Sequence, residues 1–224
     1  MRLFGKMSLA ALAITVALYA VFAYGFRPLG SLVHPDMKIV FTAHSGWIYT
    51  HVFASIFALV LGPFQFSARL RQRYLAWHRW AGRSYLVVGV VVGGLSGLYM
   101  AQFAYGGWPS RAGFTLLALC WLGTGLLGYR AIRRRDIEGH RRWMVRNYAL
   151  TFAAVTLRID LGLFSAAGLQ FQDFYPWVAW LCWVPNLLVA EWLISAHAAR
   201  HNRAVQANVP SAKPFGRTGA AADT

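Results

Sequence analysis

Six long, uncharged apolar runs alternate along the chain with short segments dense in arginine. The runs fall at roughly 8–25, 46–66, 84–104, 113–131, 147–168 and 176–198. At 1.5 Å of rise per residue, helices of about 18–23 residues cross a hydrocarbon core about 30 Å thick. Helix is the form to expect, because an isolated strand leaves its backbone amides without partners in lipid. The pattern predicts an all-α integral membrane protein with six transmembrane helices.

Lysine and arginine gather in alternate loops. Arg2 and Lys6 precede the first run, and Arg69, Arg71, Arg73, Arg79 and Arg83 follow the second. Arg130, Arg133, Arg134, Arg135, Arg141, Arg142 and Arg146 follow the fourth, and Arg200, Arg203, Lys213 and Arg217 follow the sixth. The other loops hold Arg27, Lys38 and Arg111. The positive-inside rule then puts both termini and the arginine-rich loops in the cytoplasm, with the bacterial inner membrane as the location. The first run resembles a signal peptide at its start. It is too long for a usual h-region and no clear A-x-A site follows, so a retained span is expected.

Composition adds one exclusion. The 224 residues carry 22 Lys+Arg against 7 Asp+Glu, yet only 13% are charged and 58% are hydrophobic. The mean hydropathy is +0.43. A basic balance can signal nucleic acid, but the long apolar runs between the clusters point instead to the lipid bilayer. Anionic head groups at the cytoplasmic face are the expected partners, and nucleic acid is not. The oligomeric state stays open. From about residue 202 the chain turns small and polar, which predicts one transmembrane domain over 1–201 and a disordered cytoplasmic tail over 202–224.

A phrase is written twice. HRWAGRSY (78–85) and HRRWMVRNY (140–148) both contain R-W-x-x-R-x-Y, and each runs into an apolar stretch. Spans two–three and spans four–five both enter from outside, turn through an arginine-rich loop and return. Two parallel hairpin repeats fit that arrangement. The plainer reading is topological: arginine sets orientation, while Trp and Tyr anchor at the interface. In span three, Gly89, Gly93 and Gly97 give two overlapping G-x-x-x-G steps, a flat face for close helix contact. Gly62–Pro63 in span two and Pro185 in span six should loosen those helices. Proline has no N–H to give the preceding turn.

Ionisable groups inside lipid cost about 2.5–3.5 kcal/mol each on insertion scales, so they normally face the bundle interior and find partners. His51, Arg158, Asp160 and Glu191 are such groups, supported by Gln65, Gln102, Asn147, Thr151 and Asn186. Counted by rise per residue, Arg158 and Asn186 lie at about 18 Å depth and Glu191 at about 10 Å. Asp160 and His51 fall at about 21 and 24 Å. Two layers result, Arg158–Asn186–Glu191 and Asp160–His51. Asn147, Thr151 and Arg158 share one stripe of span five. An intramembrane polar pocket lined by His51, Gln65, Thr151, Arg158, Asp160, Asn186 and Glu191 is one reading. A structural network built on an Arg158–Glu191 bond is the other.

Histidines raise the question of haem, which b-type membrane cytochromes hold between two His on neighbouring helices. His51 has no second His at its depth on another helix. His78 and His140 head the repeated phrase at the cytoplasmic interface. Flanked by Arg79, Arg83, Arg142 and Arg146, they could ligate a peripheral haem b whose propionates meet arginine, or hold a lipid phosphate or other anion. No Cys/His spacing suggests a metal site, and Cys120 and Cys182 sit inside spans as small hydrophobes. No nucleophile motif marks an enzyme.

Five segments stand out: Trp47 to Ala54 (W-x-x-x-H-V-F-A), Leu61 to Phe66 (L-G-P-F-Q-F), His78 to Tyr85, His140 to Arg158 and Trp180 to Glu191 (W-L-C-W-V-P-N-L-L-V-A-E). Together they resemble the bacterial membrane proteins grouped as domain of unknown function 2306, over about 46–195. The resemblance implies a polytopic membrane fold and no established activity. Its pattern matches His51, Gln65, His78, Arg83, His140, Arg146, Thr151, Arg158, Asn186 and Glu191, which implies a shared site. Three functions follow as expectations. The first is binding or translocation of a small molecule, lipid or proton through the polar pocket. The others are electron transfer through haem and a structural ion-pair network.

Overall fold

The computed structural model describes residues 3–207, and the described residues form helices without strands. Residues 202–207, expected in the disordered tail, instead continue the last helix. The rest of the expected tail, from 208 onward, lies outside the described residues together with Arg2, Lys213 and Arg217. In chain order the helices are α1 (Leu3–Val21), α2 (Pro35–Ala43), α3 (Ser45–Gln65), α4 (Ala68–Arg73), α5 (Leu75–Ser84) and α6 (Gly93–Ala101). They continue with α7 (Gly107–Arg133), α8 (Ile137–Thr151), α9 (Ala153–Ala166), α10 (Phe171–Leu181) and α11 (Val184–Ala207). Wider π-helical turns extend α1 over Phe22–Phe26 and join α5 to α6 over Tyr85–Val92.

Joined this way, the helices make six candidate spans: Met7–Phe26, Ser45–Gln65, Leu75–Ala101, Gly107–Arg133, Ile137–Ala166 and Phe171–Arg200. The six expected runs each fall on one. The third and fifth spans begin earlier than their hydropathy suggests, at Leu75 and Ile137. Arginine-bearing turns continue those helices, with Arg79, Arg83, Arg141 and Arg142 exposed on them. Both copies of the repeated phrase thus lie within spanning helices rather than in the loops ahead of them. Leu18, Leu95, Leu163, Leu188 and Trp192 are exposed on outer faces, where lipid covers them in a bilayer.

The second span packs on the third, the third on the fourth and the fourth on the fifth, while the first lies against the second. The glycine face of the third span makes its contact with the second. A Cβ on Gly89 would stand 2.7 Å from the Ala58 Cβ and 2.8 Å from the Ala58 backbone nitrogen. A Cβ on Gly93 would stand 2.9 Å from Ser55 Oγ, and one on Gly97 would stand 2.7 Å from the His51 ring. His51, Ser55 and Ala58 form the matching stripe at helical spacing. The main core gathers Ala58, Tyr85, Trp121, Tyr148, Leu150, Cys182 and Trp183 from spans two to six.

Side chains donate to backbone carbonyls at both proline sites. Pro63 cannot donate to the carbonyl of Leu59, and Tyr148 of the fifth span donates its hydroxyl there instead, at 3.3 Å. Gly62 opens the space that the Tyr148 ring fills. In the sixth span, α10 ends at Leu181 and α11 starts at Val184, with Pro185 as its second residue. Across that break the Trp183 indole donates to the Ala179 carbonyl at 2.9 Å, and Asn186 Nδ2 to the Cys182 carbonyl at 2.9 Å. A Tyr148→Phe protein keeps the ring and loses only the hydroxyl. Its expected cost is about 1 kcal/mol, the size of interhelical hydrogen bonds measured in bilayers. Unfolding by a denaturing detergent in mixed micelles reads that difference.

Candidate functional site

The polar candidates fall into separate sets. The most buried set joins spans three, four and five. Tyr85 donates its hydroxyl to Asn147 Oδ1 at 2.7 Å and lies 3.0 Å from Thr151 Oγ1. Asn147 Nδ2 donates to the Trp121 carbonyl at 2.7 Å and to Thr124 Oγ1 at 2.9 Å, and the Trp121 indole donates to Thr151 at 2.9 Å. Asn147 and Tyr85 are almost wholly enclosed. Tyrosines of the phrase were expected as interface anchors, yet Tyr85 and Tyr148 are both buried in the core. A hydroxyl with a partner can be buried next to aromatic carbon at little cost.

A second set stitches span five to span six. Asn186 Nδ2 donates to Thr156 Oγ1 at 2.9 Å and to the Ala149 carbonyl at 3.4 Å. Glu191 receives two hydrogen bonds from Arg146, from Nε to Oε1 and from Nη2 to Oε2, the latter at 2.8 Å. The expected Arg158–Glu191 bond is thus replaced by Arg146–Glu191. The antiparallel geometry explains it. Asn186 marks the level of Ala149 to Thr156, and five further residues carry Glu191 about 7.5 Å toward the arginine-rich end, beside Arg146. Trp143 covers the same guanidinium, 4.7 Å from its ring centroid. A double-mutant cycle with Arg146→Gln and Glu191→Gln should show coupling of about 1 kcal/mol, whereas Arg158→Gln and Glu191→Gln should add independently. Detergent-induced unfolding again provides the readout.

The expected Asp160–His51 layer does not form either. His51 donates Nδ1–H to the carbonyl of Gly93, at 2.8 Å, across the second–third span contact. That carbonyl closes the π-helical stretch and also receives Ser96 Oγ at 3.2 Å. Asp160 Oδ2 is buried without a hydrogen-bond partner. Arg158 leaves the Asn147–Thr151 stripe because Phe152 interrupts the helix between α8 and α9. Its Nη1 donates to the Ala154 carbonyl at 2.7 Å, and its guanidinium stands 5.7 Å from the Tyr19 ring of the first span.

At the arginine-rich end a different group assembles. Tyr85 and Asn147 touch, and His78 and His140 each stand seven residues before them on the same helices. Seven residues is two turns, about 10 Å along one face. His78 accordingly lies within electrostatic reach of His140, and of Arg71 and Arg79. His140 donates Nδ1–H to the Gly128 carbonyl at 2.8 Å. A carbonyl can only accept, so a proton sits on Nδ1, and Nε2 is the nitrogen this bond leaves unengaged. Gln65, at the end of the second span, has Nε2 buried without a partner, and its Oε1 borders Gly82, four residues from His78.

The arginines of this end divide by partner. Arg142 pairs with Glu138 at 3.4 Å, and Arg146 is committed to Glu191. Among the described residues no ion pair engages Arg71, Arg79 or Arg83. At the opposite end of the molecule, Phe164, Phe174, Trp177 and Trp180 line an open apolar groove of about 360 Å³ that contains none of the candidate residues.

These features define a polytopic helical membrane protein whose central spans are joined by buried polar bonds. A family model described as "Predicted membrane protein (DUF2306)" matches residues 48–194. The chain belongs to that family. No curated protein and no solved structure matches it.

Proposed function

We propose that the protein is an electron carrier of the bacterial inner membrane, holding one b-type haem at its cytoplasmic end between His78 of the third span and His140 of the fifth. One observation carries the reading. The two histidines stand two turns below a direct side-chain contact, Tyr85 to Asn147, that aligns their helix faces. Three further features support it. The His140 Nδ1–H is fixed on a backbone carbonyl, the arrangement that orients a metal-ligating imidazole and leaves Nε2 for the metal. Among the described residues no carboxylate pairs with Arg71, Arg79 or Arg83, and guanidinium forks suit propionates. Gln65 Nε2 is a donor still without an acceptor.

In this reading the haem supplies reversible one-electron chemistry, and the chain supplies ligation, orientation and a low-dielectric wall. The Tyr85–Asn147–Thr151–Trp121 network then acts as the rigid floor of the site. Its hydrogen bonds are internal, so it leaves the imidazoles free. The dispersal of His51, Thr151, Asn186 and Glu191 into locally partnered bonds weighs against a single pocket built from all of them.

The test is an absorption spectrum of the full-length protein, purified in mild detergent from cells supplied with haem precursor. A Soret band, a reducible α band and one haem per chain by pyridine extraction are the expected results. A colourless, monodisperse protein that takes up no added haem overturns the reading.

A further inference from the structure

Arg158 is the one candidate cation that the fold carries into the bilayer without a carboxylate to meet it, among the described residues. Its helix ends at Ala166, which puts Arg158 about 12 Å inside the arginine-poor end. The side chain does not reach outward to water. Its bond to the Ala154 carbonyl, at 2.7 Å, turns it back toward the membrane interior. There the guanidinium stands beside the Tyr19 ring and within electrostatic reach of Tyr24 and His51. One donor is used on the helix itself, and a guanidinium has five. Glu191, the acid that could have neutralised it, is taken by Arg146, and Asp160, two residues along, points to another side of the helix.

The neighbourhood of this cation opens to lipid. On the two helices that frame it, Leu18 and Phe22 of the first span and Ile159 and Leu163 of the fifth are all exposed. A ligand reaching Arg158 between those helices arrives sideways from the bilayer and must tolerate apolar walls.

We propose that Arg158, with Tyr19, Tyr24 and His51, binds the oxyanion of a lipid in the outer half of the membrane. The shared chemistry is a carboxylate or phosphate held by the guanidinium fork, with the attached chain lying along the first and fifth spans. Tyr19 covers the guanidinium, and the Tyr24 hydroxyl and the His51 ring supply polar neighbours. The source is a fatty acid or an anionic phospholipid. This inference stands apart from the haem reading, since it concerns the other end of the bundle.

Native mass spectrometry of the delipidated full-length protein tests it, with oleate and phosphatidylglycerol added in separate arms. One lipid retained per chain is expected, and the arm that shows it identifies the source. Arg158→Gln should lower retention about tenfold, the value of a charge-assisted hydrogen bond. Arg158→Lys keeps the charge but loses the fork, and several-fold weaker retention is expected; Tyr19→Leu should weaken it as well. Should Arg158→Gln fail to fold, the lysine variant decides by loss or retention. Unchanged retention in the foldable variants overturns the site. Acetate or inorganic phosphate displacing the lipid at equal concentration overturns the requirement for an apolar body.

Discussion

His78→Ala and His140→Ala proteins are expected to purify folded and without the Soret band of the parent. Under the proposed reading, each would remove one of the two residues that hold the haem. Loss of a second-shell partner alone typically costs about 10–100-fold in metal affinity, so loss of a ligand should cost at least that. Folding should survive, because neither imidazole belongs to the buried network. That network is anchored by Tyr85, Asn147, Thr151 and Trp121, two turns deeper. His44→Ala and His34→Ala are the controls. His44 stacks on Phe103 at 4.0 Å and His34 on Phe171 at 4.3 Å, both at the arginine-poor end, and both variants should keep the full spectrum. His78→Met separates ligation from shape. A thioether in place of one imidazole should retain haem with an altered spectrum and a raised potential. If His78→Ala and His140→Ala leave the wild-type spectrum intact, ligation by this pair is wrong, whatever the protein's activity.

The phrase that heads the third and fifth spans has two layers of meaning, and only one could be read along the chain. Arginine placement and the apolar runs depend on local composition, so the six spans and the contact made by Gly89, Gly93 and Gly97 were legible. The buried roles of Tyr85 and Tyr148 were not. A tyrosine near a membrane boundary looks the same whether it faces head groups or a neighbouring helix. The bond from Tyr148 to the Leu59 carbonyl needs Pro63, Gly62 and Tyr148 to come together from 85 or so residues apart, a tertiary event with no local signature.

The choice of ion pair failed for a related reason. Counting rise per residue gave depths good to about one turn, while an arginine can reach across more than a turn in either direction. Arg146 and Arg158 were therefore both in range of Glu191 by counting. What separates them is level and facing: Glu191 lies beside Arg146 at the arginine-rich end, while Arg158, beyond the interruption at Phe152, faces Tyr19 of the first span. Depth survives such an interruption, whereas facing does not. His78 and His140 were recognisable from the sequence as a pair without a topological duty. Their alignment came from Tyr85 and Asn147, residues the repeat does not place in equivalent positions.

Gly89→Ala should be the most damaging single methyl that can be added to the third span, costing about 1–3 kcal/mol. The new Cβ would lie 2.7 Å from the Ala58 Cβ, 2.8 Å from its nitrogen and 3.0 Å from its Cα. Backbone atoms of a packed helix cannot step aside, so the two spans must separate. At Gly93 the nearest atom is Ser55 Oγ at 2.9 Å, with the Ser55 nitrogen at 3.3 Å. A hydroxyl can rotate, and the cost should be smaller. At Gly97 the obstacle is the His51 ring at 2.7 Å. That ring is tethered to the Gly93 carbonyl, so Gly97→Ala should break or bend that bond more than it parts the helices. Gly123 has nothing within 4 Å of its Cβ position, and Gly123→Ala should be neutral or slightly stabilising through helix propensity. The order expected in detergent-induced unfolding is Gly89→Ala below Gly93→Ala, with Gly123→Ala at the parent value or above. Equal effects at all three would mean that the second and third spans do not meet along this face. If His78 holds haem as proposed, separation of those spans at Gly89 should also disturb its spectrum, because α5 carries His78 on the same continuous span. Gly123→Ala should leave that spectrum unchanged.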